Sequence, residues 1–231
     1  GKQGDIGIHI RSIYNRGTWR LFMILYSVPG SCSFASHVAL EMAGADYEVR
    51  LAPREQGRTA EDFFEINPKG RVPALVTPDG LLTETPAILC YISQTYSQAK
   101  LAPMSNPWLF AQVQSFSAYL CATVHVAHAH GHRGYRWADQ EASFQDMTRK
   151  VPQTMGACFR LIEKEMLQGP WVLGEDFSVC DIYLLAIARW LEADKVDTTS
   201  LSKVLDHRAR MLRLPDVQKV LAEEQDLALS G

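Results

Sequence analysis

Apolar and polar positions follow two different rhythms along this chain of 231 residues. Up to about Lys100, short apolar runs alternate with stretches of helical period; beyond Pro107 only the helical period continues. The run Phe22-Met23-Ile24-Leu25 predicts a first strand, and Val28-Pro29-Gly30 turns the chain after it. From Phe34 to Gly44 the apolar residues recur three and four apart, which predicts a helix. Tyr47 to Leu51 reads as a second strand, followed by a polar stretch through Arg58 and a short helical turn over Ala60 to Ile66. Val72 to Val76 and Leu81 to Thr83 read as strands joined by the hairpin turn Thr77-Pro78-Asp79-Gly80, and Glu84 to Ile92 is helical again. The order βαβαββα predicts an α/β unit in which a mixed sheet is covered by helices. Pro73 has no N–H to give a ladder, so it belongs at the first residue of its strand or on an edge.

The second half predicts helices over 108–132, 141–168, 178–194, 201–212 and 216–224, with no strand pattern between them. The Pro-containing link 98–107 marks the boundary between a first domain over 23–100 and an all-α domain over 107–231. Ser178 followed three residues later by Asp181 is a capping box, with Phe177 placed as its staple residue. The stretch from Ile182 to Trp190 is apolar nearly all round and so belongs at the centre of the helical half.

Composition narrows the functional classes. With 23 basic and 26 acidic residues the net charge is −3, which argues against a nucleic-acid partner. No apolar run approaches the roughly 20 residues of a membrane span, so no membrane partner is expected. Five scattered cysteines without a CxxC pair suit a reducing compartment, and a cytoplasmic location is expected. Residues 1–22 carry Lys2, Arg11, Arg16 and Arg20 against Asp5 alone. An Arg-rich, acid-poor start can be a transit peptide, but a leader or tag outside the fold, ahead of Met23, is the expectation.

Two groups of residues invite chemistry. Cys32 follows a Pro-Gly turn at the start of a helix, where free N–H groups and the helix dipole favour a thiolate; the plainer alternative is an inert buried cysteine. His125, His128 and His132 stand at i, i+3 and i+7 on one helix face, while His130 points elsewhere. Three imidazoles could ligate zinc, but no Cys, Asp or Glu stands among them, so no metal is expected.

The chain resembles the cytosolic glutathione S-transferases, most closely the bacterial beta class. The resemblance rests on Tyr26-Ser27-Val28-Pro29-Gly30-Ser31-Cys32-Ser33, on Ile66 to Leu75, on Leu82 to Ile88 and on the capped helix from Gly174 through Asp181. It implies a thioredoxin-like first domain, a cis Val72-Pro73 bond, and glutathione as co-substrate. Val72, ahead of Pro73, would pair its backbone with the cysteinyl part of the tripeptide, and Glu84 and Thr85 would hold the γ-glutamyl end. Cys32 matches the cysteine set beside the glutathione sulfur; Ser31 or Ser33 could offer a hydroxyl instead, and Tyr26 would serve packing. His125 matches a histidine aimed at the site, but Val126 stands where the class has lysine, a loss that His128, Arg133 or Arg136 could offset. His128 and Trp137 would line the pocket for a hydrophobic electrophile, whereas Trp108, Phe116, Tyr119 and Tyr135 fit either pocket or core. The resemblance further implies a detoxifying transferase and a homodimer. Thiol–disulfide exchange through Cys32 and a non-catalytic binding protein on the same scaffold are the alternatives.

Overall fold

A computed structural model of the chain describes residues 22–55 and 58–230. The expected leader lies outside the described residues except for Phe22, which opens the first strand. Strand β1 (Phe22–Ser27) buries Met23, Ile24 and Leu25, and runs parallel to β2 (Asp46–Leu51), with Phe22 opposite Asp46 and Ser27 opposite Leu51. Helix α1 (Ser33–Met42) makes the crossover between them. Parallel neighbours require such a crossover, because a tight turn can join only antiparallel strands.

The next stretch departs from expectation. Where the sequence shows only polarity, Arg54–Glu55 (β3) and Arg58–Thr59 (β4) pair as a small antiparallel ribbon, and helix α2 spans Phe63–Ile66. Strand β5 (Ala74–Thr77) then lies antiparallel to β1, and β6 (Gly80–Thr83) lies antiparallel to β5, so the sheet order is β2-β1-β5-β6. Pro73 stands just before β5, outside the ladder, and the Val72-Pro73 bond is cis. Helix α3 (Thr85–Thr95) closes the thioredoxin-like half.

Helix α4 (Pro107–Tyr119) starts at Asn106, whose side chain accepts from the N–H groups of Trp108 and Leu109. It passes through a wide π-type turn, Leu120–Val124, into α5 (His125–Ala129). Helix α6 (Glu141–Leu161) carries Pro152 and ends in a second wide turn, Ile162–Met166. Helix α7 (Val179–Ala188) is buried at all of its ten residues, as its apolarity requires, and the Ser178–Asp181 capping box is formed. It is shorter than the apolar stretch suggests: the chain leaves the helix at Arg189, while Trp190 and Leu191 stay buried in the turn that follows. Helices α8 (Ser202–Met211) and α9 (Pro215–Ser230) complete the fold, α9 reaching further than its apolar pattern. One apolar core joins the halves, because α1 packs on α3 on one side and on α7 and α9 on the other.

Candidate active site

A cleft of about 340 Å³ opens between the loops at one end of the sheet and a wall formed by the wide turn Leu120–Val124, α5 and the segment that follows it. Ser31, Cys32, Val72, Pro73, Glu84, Thr85, His125, His128 and Trp137, all singled out from sequence, line this one cleft.

Cys32 sits at the N-cap position of α1, with φ −63° and ψ −17°, and its thiol donates to the Val72 carbonyl over 3.5 Å. The expected thiolate is not what this environment favours. Burial pushes the thiol up to about 11, against the downward pulls of the Thr85 hydroxyl, the Arg133 charge and the helix-end amide. Removing a would-be anion from water costs more than one helix end returns. At neutral pH Cys32 is therefore a proton-bearing donor.

The turn that carries Cys32 is held from several directions. Ser33 is fully buried, with its hydroxyl 2.7 Å from that of Ser27 and 2.6 Å from that of Ser31, and it accepts the Val28 N–H at 3.2 Å. Ser33 is thus committed to the turn, while Ser31 is half-buried at the cleft wall. Gly30 adopts φ +77°, a region that L side chains enter at a cost. Its carbonyl accepts the Trp190 indole N–H at 2.8 Å, and its own N–H faces the Glu224 carboxylate of α9 at 3.3 and 3.4 Å. Glu224 is nearly buried and also receives Arg189 at 3.0 Å, whose guanidinium stacks over Phe34 at 4.0 Å.

On the opposite wall, the loop before Val72 is braced by Asn67, whose side chain donates to the Arg71 carbonyl and accepts from the Lys69 N–H. Glu84 has φ +74°, an uncommon conformation for a residue with a side chain, and leads into α3. Its carboxylate pairs with Lys69 at 2.6 Å, and Lys69 also reaches the Thr83 hydroxyl at 2.9 Å. Both partners are more than half exposed, so a ligand ammonium can compete for the carboxylate at little cost. Thr85 is buried.

From the helical half, the wide turn before α5 sets His125 into the cleft, 5.0 Å from the Trp190 ring. Burial is the main cause that takes His125 down to about 3, followed by electrostatic repulsion from His128, Arg133, Arg136 and Arg71. The ring is neutral at physiological pH. His128 stacks flat on Trp190 at 4.0 Å and donates Nδ1–H to buried Asp194 at 2.7 Å. An acid partner absent from the neighbouring sequence thus arrives from the turn beyond α7. His130 does point elsewhere, stacked on Trp137 at 4.1 Å with Nδ1–H on the Val126 carbonyl. Among the described residues no group of three or more His, Cys, Asp or Glu is placed to hold a metal ion.

The ambiguous aromatics separate. Tyr135 and Trp137 line the cleft, Phe116 is buried in the core with Tyr119 packed against it, and Trp108 is exposed on the outside of α4. Sequence reasoning missed Tyr183 and Trp190, which looked like plain core residues of an apolar helix, and Arg58 and Arg71, which lay in stretches given no site role. Burial pushes the Tyr183 hydroxyl above its ordinary range. No helix among the described residues is long and apolar enough to cross a membrane.

Residues 22–94 match the family described as glutathione S-transferase, N-terminal domain. A glutathione transferase homologue from Sulfitobacter, solved with bound glutathione, is 42% identical with a TM-score of 0.84, over 88% of this chain and 98% of that one. Glutathione S-transferase GstA of Escherichia coli O157:H7 is 29% identical over 87% of this chain and 98% of its own length. The bacterial beta class glutathione S-transferase of Sphingomonas chungbukensis is 27% identical with a TM-score of 0.76, covering 87% of this chain and 98% of its own.

Proposed function

From the premise that this chain belongs to the glutathione S-transferase family, we propose that its cleft binds glutathione and uses Cys32 as a neutral donor to the tripeptide's thiolate. The observation that carries this reading is the placement of the buried Cys32 thiol, which donates to the Val72 carbonyl at 3.5 Å; burial pushes the thiol up and so favours its neutral form. In this reading the Val72 backbone pairs with the cysteinyl unit, Pro73 shapes that edge, and Glu84 and Thr85 receive the γ-glutamyl ammonium and carboxylate. The glutathione sulfur then lies beside Cys32, whose S–H lowers the energy of the anion without being consumed. Neutral His125 offers an N–H or lone pair without adding charge, and Ser31 supplies a nearby hydroxyl.

The electrophile rests against His128 and Trp137. The sulfur lone pair forms the new C–S bond, a leaving group departs with the electrons of the bond it loses, and the thiol proton passes to solvent. Thiol–disulfide exchange through Cys32 needs a thiolate, which burial opposes, so that reading is not favoured. A homodimer acting in the cytoplasm as a detoxifying transferase completes the proposal.

The test compares wild type with Cys32→Ala and Cys32→Ser. The alanine variant is expected to raise the pKa of bound glutathione, read from its thiolate absorbance, and to lower kcat/KM by about tenfold to a hundredfold. Serine is expected to restore most of the loss. Full turnover in Cys32→Ala would shift the donor role to Ser31 or His125, and a glutathione adduct released by dithiothreitol would restore the exchange reading. A chain that neither binds glutathione nor turns over any electrophile would be a scaffold without catalysis.

A further inference from the structure

Resting on that reading of the cleft, we propose that its second substrate is an electrophile bearing a carboxylate, held by Arg71, Arg133 and Arg136. Arg71 comes from the loop before Val72, and Arg133 and Arg136 come from the segment after α5, so two separate parts of the chain bring guanidinium groups to the same cleft. Among the described residues none of the three has a carboxylate partner. The carboxylate that lines the cleft, Glu84, is taken by Lys69, and the acid nearest the histidines, Asp194, is spent on His128. Arg136 is pulled below its ordinary range, first by burial and then by the charges of Arg71 and Arg133. A chain with 26 acidic residues and a net charge of −3 has thus left a concentrated positive field unanswered in its cleft. Such a field attracts anions and holds them once desolvated.

Glutathione alone leaves part of this charge unused. Its γ-glutamyl carboxylate is assigned to the start of α3, so one glycyl carboxylate remains for three guanidinium groups. Planar guanidinium groups match a carboxylate in two-point hydrogen bonds, which favours this anion over a diffuse one. Beside them Tyr135 and Trp137 are 42% and 46% exposed, offering flat apolar surface for the body of the same molecule. Arg58 stacks on the Tyr135 ring at 4.4 Å and keeps that wall in place.

The test uses the full chain with 4-chloro-3,5-dinitrobenzoate and its uncharged amide, two electrophiles of nearly the same shape. In both, the glutathione sulfur bonds to the carbon bearing chlorine, the C–Cl bond breaks, chloride leaves with the bonding pair, and the thiol proton goes to buffer. After subtraction of the uncatalysed rates, wild type is expected to favour the benzoate in kcat/KM by about tenfold or more. Arg136→Gln and, separately, Arg133→Gln are expected to bring that ratio close to one, as is raised salt. A wild-type ratio near one overturns the inference and leaves the transferase reading standing. So does a ratio unchanged in both variants while the KM for glutathione rises, since the arginines would then serve the glycyl carboxylate alone. The affinities of the two aryl-glutathione conjugates, measured by calorimetry, give a readout independent of turnover. Equal affinities overturn the inference, and failure to bind either conjugate or glutathione overturns both readings.

Discussion

Cys32 shows how two opposing effects at one residue are decided by size. The helix end is where the sequence puts it, and its pull on the thiol is in the direction expected, but the site is dry enough for desolvation to win. Alkylation of Cys32 by iodoacetamide in the free protein is therefore expected to be slow at pH 7 and to rise with pH towards a midpoint near 11, read by peptide mass spectrometry. A midpoint below 8 would mean that the helix end dominates after all. His125 carries the opposite sign. Its folded value of about 3 lies below the ordinary 6.5, so the unfolded chain takes up this proton first as pH falls. Stability from this group is fully present above pH 6.5 and declines below it. Between pH 6.5 and 5, chemical unfolding of His125→Gln is expected to depend less steeply on pH than wild type, by up to about 1.4 kcal/mol per unit. Equal slopes would place His125 in water. The local chemistry of both residues was visible in the sequence, but their solvation was not, because the residues that bury them arrive from distant segments.

At the scale of elements, the period and the Ser178–Asp181 cap were readable, while the Asn106 cap and most element ends were not. The capping box of α7 illustrates the first. Asp181 is fully buried and accepts from the Ser178 N–H at 2.8 Å, the Val172 N–H at 2.8 Å and His207 Nε2 at 2.9 Å. Only the first of these partners is local, so the sequence showed a cap where the fold has a junction of three segments. Asp181→Ala is expected to cost about 3 kcal/mol or more in urea unfolding, because three donors lose a buried acceptor together. Ser178→Ala, which removes only the local half, is expected to cost about 1 kcal/mol. Similar losses for the two would reduce Asp181 to an ordinary cap. The far end of α7 illustrates the second point. Trp190 and Leu191 continue the apolar run but lie in a turn, since apolarity reports burial rather than helix. The β3–β4 ribbon was illegible for a related reason: strands of two residues are too short to show alternation.

For the whole molecule, the order of motifs along the chain was enough to read both halves and most of the cleft wall. The grip of one half on the other was not readable, because Gly30, Arg189 and Glu224 are far apart and individually ordinary. Their arrangement makes α9 a support for the Cys32 turn. Glu224→Gln keeps the shape of the side chain and removes its charge, and is expected to lower kcat/KM roughly tenfold through a displaced turn. A Cys32 alkylation profile shifted from that of wild type would accompany the loss; unchanged kinetics together with a lower melting temperature would make Glu224 a purely structural residue. The Gly30–Glu224 contact spans 194 residues, and this has a consequence for how the molecule is made. A ribosome releases the Cys32 turn long before the carboxylate that pins it. Every residue lining the cleft precedes α9, so a chain stopped short of that helix holds the complete set of reacting groups around an unpinned turn. Synthesis of α9 is thereby built into completion of the site.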